Sequence, residues 1–343
     1  MTTSTDPADD VAVVDLDETG WLIDPDYASP VPEPALRNFF AERLVAPADA
    51  TDILVYVHGW QTTPESAVKA ATGLQRLANQ RFEASTTLYP NLATRGFRPW
   101  TIVIRWPSSS VAGPRGYRRI RDRAHAMGAL NGTGLAAHVI GSLLGYLDAE
   151  RPDPNAPELL TNRDGQYLHL VGHSFGCRFL CEAVMWAAEA TLNDTLAWST
   201  PSSHPFNVDS LLLFQMAAPM DAFSSLFSAL PPSETHAGAP VRGPVVATHS
   251  RHDRATGFWH KRAEGQLGVG HSGIGQAPAA VSKTRMLAID KRYDIAELDH
   301  RFVSVDASKY FVRGKRVSPA GAHSAHIRPE SAHLLLSLAD HSR

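Results

Sequence analysis

A serine lies between two glycines in the stretch YLHLVGHSFG, residues 167–176, where an apolar run ends and a helical pattern begins. Gly172 and Gly176 allow a sharp turn, which would expose the Ser174 hydroxyl beside the N–H groups that open the helix. A serine hydroxyl is a weak nucleophile unless a neighbouring base takes its proton. The stretch therefore predicts Ser174 as the nucleophile of an acyl transfer, provided that the chain supplies a base, an acid and donors for the oxyanion.

The predicted base is a histidine near the end of the chain, in GAHSAHIRPE, residues 321–330. The chain has 16 histidines, so the candidate base is selected by its position in the chain. The base should come last, from a loop that precedes the final helix. His323 is favoured, with His326 as the alternative base. Gly321 is expected to make this loop flexible, and Pro329 to begin the helix.

The predicted acid follows a strand, as a carboxylate that orients the imidazole should. Asp253 comes just after the apolar run of PVVATHSRHD and is favoured. Asp221 follows the preceding strand, LLLFQMAAPM, and is the alternative acid. Asp221 could equally be the N-cap of a short helix.

Oxyanion donors are predicted where another apolar strand ends, in VYVHGWQ, residues 55–61. The backbone N–H of Trp60, or that of Gln61, would pair with the N–H of Phe175. His58 would brace this loop. A second Gly-His-Ser step, at 270–272, lacks a preceding apolar strand and is predicted to be an ordinary loop.

Composition narrows the functional classes. His249 and His252 lie near Asp253, but no further cluster of ligands supports a metal site, so neither a metal nor a cofactor is expected. The formal net charge of −3 does not favour nucleic acid as a partner. Cys177 and Cys181 are four residues apart on a predicted helix, a spacing that favours two buried thiols over a disulfide.

The order of the predicted strands and helices that carry these residues indicates an α/β fold. Strands alternating with helices favour a mainly parallel central sheet with helices on both faces. A hairpin and a Pro-rich loop are predicted within 1–45, a single domain within 46–343, and a possible cap or lid within 254–300. Buried strands are predicted at 51–59, 100–108, 167–173, 208–219, 244–250 and 300–312, and helices at 64–81, 116–148 (broken near 131–134), 175–190 and 329–339.

Four motifs, VYVHGW, LVGHSFG, THSRHD and GAHS, resemble those of the α/β-hydrolase superfamily, over residues 50–340. More narrowly, the chain is similar to bacterial serine hydrolases of unassigned substrate that have a Tyr/Arg/Ala-rich helix before the nucleophile strand, here GYRRIRDRAHAMG. The resemblance implies an α/β-hydrolase fold without a cofactor. The roles it implies are Ser174 as nucleophile, His323 as base, Asp253 as acid, and Trp60 and Phe175 as oxyanion donors.

The first expectation for function is cleavage of carboxylic esters, small or lipid-like, because an alcohol leaves more easily than an amine. A lipase, an amidase or peptidase, an acyltransferase, and a non-catalytic binding protein that retains the fold are the alternatives. The polar N-terminus MTTSTDPADD has no apolar signal-peptide core, and no apolar run is long enough to span a membrane, so a cytoplasmic location is expected. The sequence does not indicate an oligomeric state.

Overall fold

A ten-stranded sheet forms the centre of the computed structural model, which describes residues 11–111, 113–128, 134–150, 166–188, 206–228, 230, 240–313 and 319–343. The spatial order of its strands is β3-β2-β1-β5-β4-β6-β7-β8-β10-β9. Only β2 pairs antiparallel with its neighbours, and every other adjacent pair is parallel. The strands are β1 Val11–Leu16, β2 Leu22–Asp24, β3 Ser29–Pro30, β4 Asp52–Val57, β5 Pro99–Arg105, β6 Tyr167–His173, β7 Ser210–Phe214, β8 Val245–His249, β9 Val281–Arg285 and β10 Phe302–Asp306.

Helices cover both faces of this sheet, which confirms the predicted α/β class. One face carries α2, α3 and α11, and the other carries α1 and α4 to α7. Within the described residues, no helix is both long and apolar enough to cross a membrane. The helices are α1 Leu36–Arg43, α2 Pro64–Ala84, α3 Pro90–Arg95, α4 Pro114–Gly128, α5 Ala136–Glu150, α6 Gly176–Ala188, α7 Ala222–Leu226, α8 His260–Glu264, α9 Val269–Ser272, α10 Ile295–Leu298 and α11 Pro329–His341.

The alternation of side chains along β4 shows how the sequence builds two cores. Every residue of β4 is buried. Ile53 and Val55 join the hydrophobic cluster on the α5 and α6 side of the sheet, whereas Leu54 and Tyr56 join the cluster on the α2 and α11 side. A strand that is buried on both faces reads as a continuous apolar run rather than an alternating one.

The strand order reverses between β4 and β6. The chain passes from β4 to β5 on one side, and later returns to form β6 on the other side of β4. In open α/β sheets, such a reversal of strand order leaves a crevice at the carboxyl ends of the strands, and ligands bind there. The predicted nucleophile turn and the predicted oxyanion loop both follow these two strands.

Several expectations need correction. The Pro-rich stretch 25–34, expected to be a loop, contains the short strand β3, and α1 follows it. The hairpin of β1 and β2 belongs to the main sheet, because β1 pairs with β5. The loop-rich stretch 254–285 contains α8, α9 and the sheet strand β9, so the second Gly-His-Ser step is a helical turn rather than a loop. Residues 131–133 of the predicted helix break and residues 189–190 of the predicted helix lie outside the described residues.

Candidate active site

Ser174 lies on a tight turn between β6 and α6. Its φ angle is 57°, in the left-handed region that residues other than glycine rarely adopt. Two backbone hydrogen bonds hold the turn: the Ser174 N–H donates to the carbonyl of Phe214 at 3.0 Å, and the Ser174 carbonyl accepts from the Ala217 N–H at 3.2 Å. The strained turn is therefore fixed by the end of the neighbouring strand, β7.

Both flanking glycines are required by close contacts. A Cβ atom at Gly172 would lie 2.7 Å from the Cα of Cys177. A Cβ atom at Gly176 would lie 2.4 Å from the carbonyl oxygen of His58, on the loop after β4. Any side chain at either position would push α6 away from the sheet, so the glycines allow the helix to begin directly above the strand ends.

Ser174, His323 and Asp253 form a continuous hydrogen-bonded chain. His323 Nε2 lies 2.7 Å from Ser174 Oγ, and His323 Nδ1 lies 2.8 Å from Asp253 Oδ2. The residues are 1%, 6% and 0% exposed, respectively. Because the carboxylate can only accept, Nδ1 carries the proton and Nε2 is free to accept the proton of the serine.

The carboxylate of Asp253 has a donor in every available position. Its Oδ1 accepts from the backbone N–H groups of Ala255 at 3.0 Å and Thr256 at 3.1 Å. Its Oδ2 accepts from His323 and also from Gln215 Nε2, at 3.1 Å. A buried carboxylate is tolerated when its oxygens are hydrogen-bonded in this way.

A short backbone bridge joins the acid loop to the base loop. Asp253 and Gly321 form an isolated antiparallel β-bridge, and the Ala322 N–H donates to the carbonyl of His252 at 3.0 Å. Gly321 has φ 66°, and a Cβ atom there would lie 2.4 Å from the His252 carbonyl oxygen. The expectation that Gly321 makes the loop flexible is therefore wrong: this glycine permits a close and fixed contact.

The alternative base, His326, is buried away from the nucleophile hydroxyl. Its Nε2 lies 3.1 Å from the hydroxyl of Tyr56, and its ring stacks on His173 with centroids 3.9 Å apart. His173 in turn bonds through Nε2 to the carbonyl of His323, at 2.8 Å. Burial, followed by the neighbouring His326 and His323, lowers the pKa of His173 well below its usual value. These two rings pack behind the loop that carries His323.

The alternative acid, Asp221, is exposed at the start of α7. Its carboxylate accepts a hydrogen bond from Gln266 Nε2 at 3.1 Å and makes no side-chain cap to the helix. Asp253, not Asp221, therefore contacts His323.

The backbone N–H groups of Trp60 and Phe175, near Ser174, have no acceptor among the described residues. Phe175 follows the serine directly. Gly59, which precedes Trp60, approaches the turn so closely that a Cβ atom there would lie 2.6 Å from Ser174 Cβ. The other predicted donor, the Gln61 N–H, already donates to the carbonyl of Ser108 at 3.2 Å. Trp60 is thus the better placed of the two loop residues.

His58 is hydrogen-bonded both to its own loop and to Trp106, the residue after β5. Its Nε2 accepts from the Trp106 N–H at 3.2 Å, and its Nδ1 lies 3.0 Å from the Gly59 carbonyl. Burial lowers the pKa of His58 to about 4, so the ring is neutral and fixed in one tautomer at neutral pH. This neutral ring ties the loop that carries Trp60 to the end of β5.

Tyr117 of α4 packs against both Trp60 and Phe175. This contact was not predicted from the sequence. Its ring contacts Trp60 edge-on at 5.6 Å and Phe175 at 5.4 Å, between centroids. His260 of α8 lies edge-on to the same ring, with centroids 6.4 Å apart. Tyr117 is buried, and this burial raises the pKa of its hydroxyl well above the usual value. The only signal in the sequence is a tyrosine on the apolar face of a helix, which is equally typical of ordinary core.

A second Ser–His–Asp chain lies at the opposite ends of the strands. Ser210 Oγ lies 2.8 Å from His169 Nδ1, and His169 Nε2 lies 3.1 Å from Asp52 Oδ1. Burial raises the pKa of Asp52, but Arg343, bonded at 2.8 and 3.0 Å, and His169 together lower it overall. Ser210 is fully buried in a regular strand, without a turn or a helix start beside it. The same residue types therefore lie within the sheet here, whereas Ser174 lies on a turn at the start of a helix.

The described residues contain no group of three or more His, Cys, Asp or Glu side chains arranged to hold a metal ion. The sequence matches no protein-family model and no curated protein. The functional assignment therefore depends on the geometry around Ser174.

Proposed function

We propose that the chain is a serine hydrolase of the α/β-hydrolase superfamily that cleaves carboxylic esters through an acyl-enzyme on Ser174. The observation that carries this proposal is the chain of hydrogen bonds from Ser174 Oγ through His323 to Asp253, at 2.7 and 2.8 Å. The N–H groups of Trp60 and Phe175, which have no acceptor among the described residues, support it as oxyanion donors.

In the first half of the reaction, Ser174 Oγ attacks the ester carbonyl carbon while His323 Nε2 takes the hydroxyl proton. The carbonyl oxygen becomes negative and accepts hydrogen bonds from the Trp60 and Phe175 N–H groups. When the tetrahedral intermediate collapses, the bond to the alkoxy oxygen breaks and His323 gives its proton to that oxygen. An alcohol leaves, and the acyl group stays on Ser174.

In the second half, water attacks the acyl carbon and gives a proton to His323 Nε2. The bond from the acyl carbon to Ser174 Oγ then breaks, and His323 returns the proton to the serine. The carboxylic acid is released. Throughout, Asp253 keeps the other imidazole proton on Nδ1 and stabilises the cationic ring.

Access to the serine requires movement, because Ser174 is only 1% exposed. The candidate lid is the segment 258–264, which ends the π-helical turn and includes α8, and which contacts Tyr117 through His260. Phe258 on this segment is 55% exposed. An exposed aromatic side chain on the proposed lid supports a lipid-like ester as substrate, and so supports the lipase alternative.

The test is hydrolysis of p-nitrophenyl esters from acetate to palmitate, with fluorophosphonate labelling of the same samples. Ser174→Ala should abolish both. Ser210→Ala is the matched control, because it removes the serine of the second Ser–His–Asp chain and should leave turnover and labelling unchanged. A wild-type chain that neither hydrolyses any ester nor labels would refute the proposal and favour a binding protein.

The remaining alternatives give separate results in the same assay. An acyltransferase would form a new ester when an alcohol acceptor is added, faster than it forms the free acid. An amidase or peptidase would cleave the matching p-nitroanilide as readily as the ester. A lipase would turn over palmitate above its solubility limit more rapidly than monomeric acetate.

A further inference from the structure

The turn after β7 carries a glutamine in an unusual state. Gln215 follows Phe214 directly and has φ 49°, in the left-handed region where glycine is the usual residue. It is fully buried. Its backbone N–H donates to both the carbonyl and the hydroxyl of Thr248, each at 3.3 Å. A strained, buried polar residue of this kind persists only where the surrounding structure holds it, and such residues concentrate at functional sites.

The side chain of Gln215 links Asp253, the proposed acid, to the loop that carries His323, the proposed base. Its Nε2 donates to Asp253 Oδ2 at 3.1 Å and to the carbonyl of Ala322, the residue before His323, at 3.0 Å. Both partners can only accept, so the nitrogen rather than the oxygen of the amide must face them. The amide oxygen is buried without a hydrogen-bond partner among the described residues. The amide oxygen of Gln215 is therefore left unsatisfied, whereas the amide nitrogen makes two hydrogen bonds to the loops of Asp253 and His323.

We propose that Gln215 is a positioning residue that holds the acid–base pair in register, an inference that rests on the proposed hydrolase function. Its amide fixes Asp253 Oδ2 at the point where His323 Nδ1 donates. The same amide fixes the backbone that leads into His323. The distance between acid and base is thereby set by this side chain together with the backbone bridge between Asp253 and Gly321.

The position of Gln215 explains how this alignment reaches the nucleophile. Two residues further along the same turn, the Ala217 N–H donates to the Ser174 carbonyl at 3.2 Å. Gly270 lies so close to Gln215 that a Cβ atom on it would be 2.5 Å from the Gln215 carbonyl carbon. The turn is thus packed from outside and is bonded to Ser174, to Asp253 and to Ala322, the residue before His323.

The first test is Gln215→Met, which keeps the length of the side chain and removes both donor bonds. We expect kcat for p-nitrophenyl esters to fall roughly 10- to 100-fold, the usual loss for one hydrogen bond to a charged group, with KM little changed. Gln75→Met is the matched control, because Gln75 of α2 is also buried and its amide oxygen accepts from Thr101 of β5. It should leave kcat unchanged.

A double-mutant cycle separates positioning from general stability. If Gln215 acts through Asp253, then Gln215→Met should have little further effect on kcat in an Asp253→Asn background. Effects on kcat that multiply fully in the double mutant, or a Gln215→Met variant with kcat within about threefold of wild type, would overturn the proposal.

A readout without turnover keeps this inference distinct from the proposed function. The proton shared by His323 Nδ1 and Asp253 should give a downfield ¹H signal in histidine-¹⁵N-labelled protein, assigned by its loss in His323→Gln. Gln215→Met should shift or broaden that signal, whereas Gln75→Met should not. An unchanged signal would overturn the positioning role. An inactive wild type with a signal that responds to Gln215→Met would instead refute only the hydrolase proposal.

Discussion

Replacing Asp253 by asparagine should disable the site through the tautomer of His323 rather than through the fold. The carboxylate accepts four donors: Ala255 N and Thr256 N at one oxygen, and Gln215 Nε2 and His323 Nδ1 at the other. Asparagine has only one acceptor oxygen. The two backbone donors cannot turn away, so that oxygen should stay with them and the new NH₂ group should face His323.

Two donors cannot face each other, so His323 should lose its proton at Nδ1 and carry it at Nε2 instead. The Nε2–H would then point at Ser174 Oγ, where the ring has to accept a proton. A histidine held in the wrong tautomer costs about 10⁴ in kcat, which corresponds to about 5 kcal/mol of activation free energy. The fold should persist, because both backbone bonds to the side chain are kept.

The assay compares kcat and KM of wild type, Asp253→Asn and Asp221→Asn for one p-nitrophenyl ester, with thermal unfolding of each. Asp221 is exposed and bonded to Gln266, so Asp221→Asn is the matched control and should retain wild-type kcat. The reasoning fails if Asp253→Asn keeps kcat within about tenfold of wild type with an unchanged unfolding temperature. It also fails if Asp221→Asn loses as much activity as Asp253→Asn.

Two further predictions concern stability. Arg343→Met should destabilise the fold by about 3–5 kcal/mol in denaturant titrations, because it leaves the buried Asp52 without its cation, and kcat should not change. Arg37→Met, at the exposed pair with Glu150, should cost less than about 1 kcal/mol. Burial raises the pKa of Glu182 to about 8, against the opposing effect of Arg178, so the folded chain keeps a proton that the unfolded chain releases above pH 4.5. The free energy of unfolding should therefore fall between pH 4.5 and 8, by at most about 1.4 kcal/mol per pH unit, and Glu182→Gln should remove that slope.

The predictable parts of this fold are those with a strong local pattern. The strands β4, β5 and β6 are continuous apolar runs and were predicted from the sequence within a few residues, as were α2 and α11, which begin at prolines. In contrast, β9 was missed. Its sequence, VSKTR, is largely polar, and its residues are half-buried or exposed at the edge of the sheet. An edge strand with so little apolar surface has no pattern to distinguish it from a loop.

The choice between the candidate acids shows why local pattern was insufficient. Asp253 and Asp221 both follow apolar strands, and both are consistent with the chain order of the proposed triad. Asp253 reaches His323 because β8 and β10 pair in a register that brings the two loops together, and because a close backbone contact at Gly321 fixes the distance between them. None of these pairings is visible in a sequence of one chain.

The sequence by itself determined the α/β class and the candidate nucleophile, because a strand, a glycine-flanked turn and a helix start depend on neighbouring residues only. Tertiary structure alone decided which histidine meets Ser174 and which aspartate meets that histidine, since these contacts join residues 149 and 70 positions apart. It also placed Gln215 against Asp253, and it placed the Ser210, His169 and Asp52 chain within the sheet rather than at a turn. The same three residue types bond in both places, and only the backbone turn, the helix start and the free N–H groups at Ser174 distinguish them.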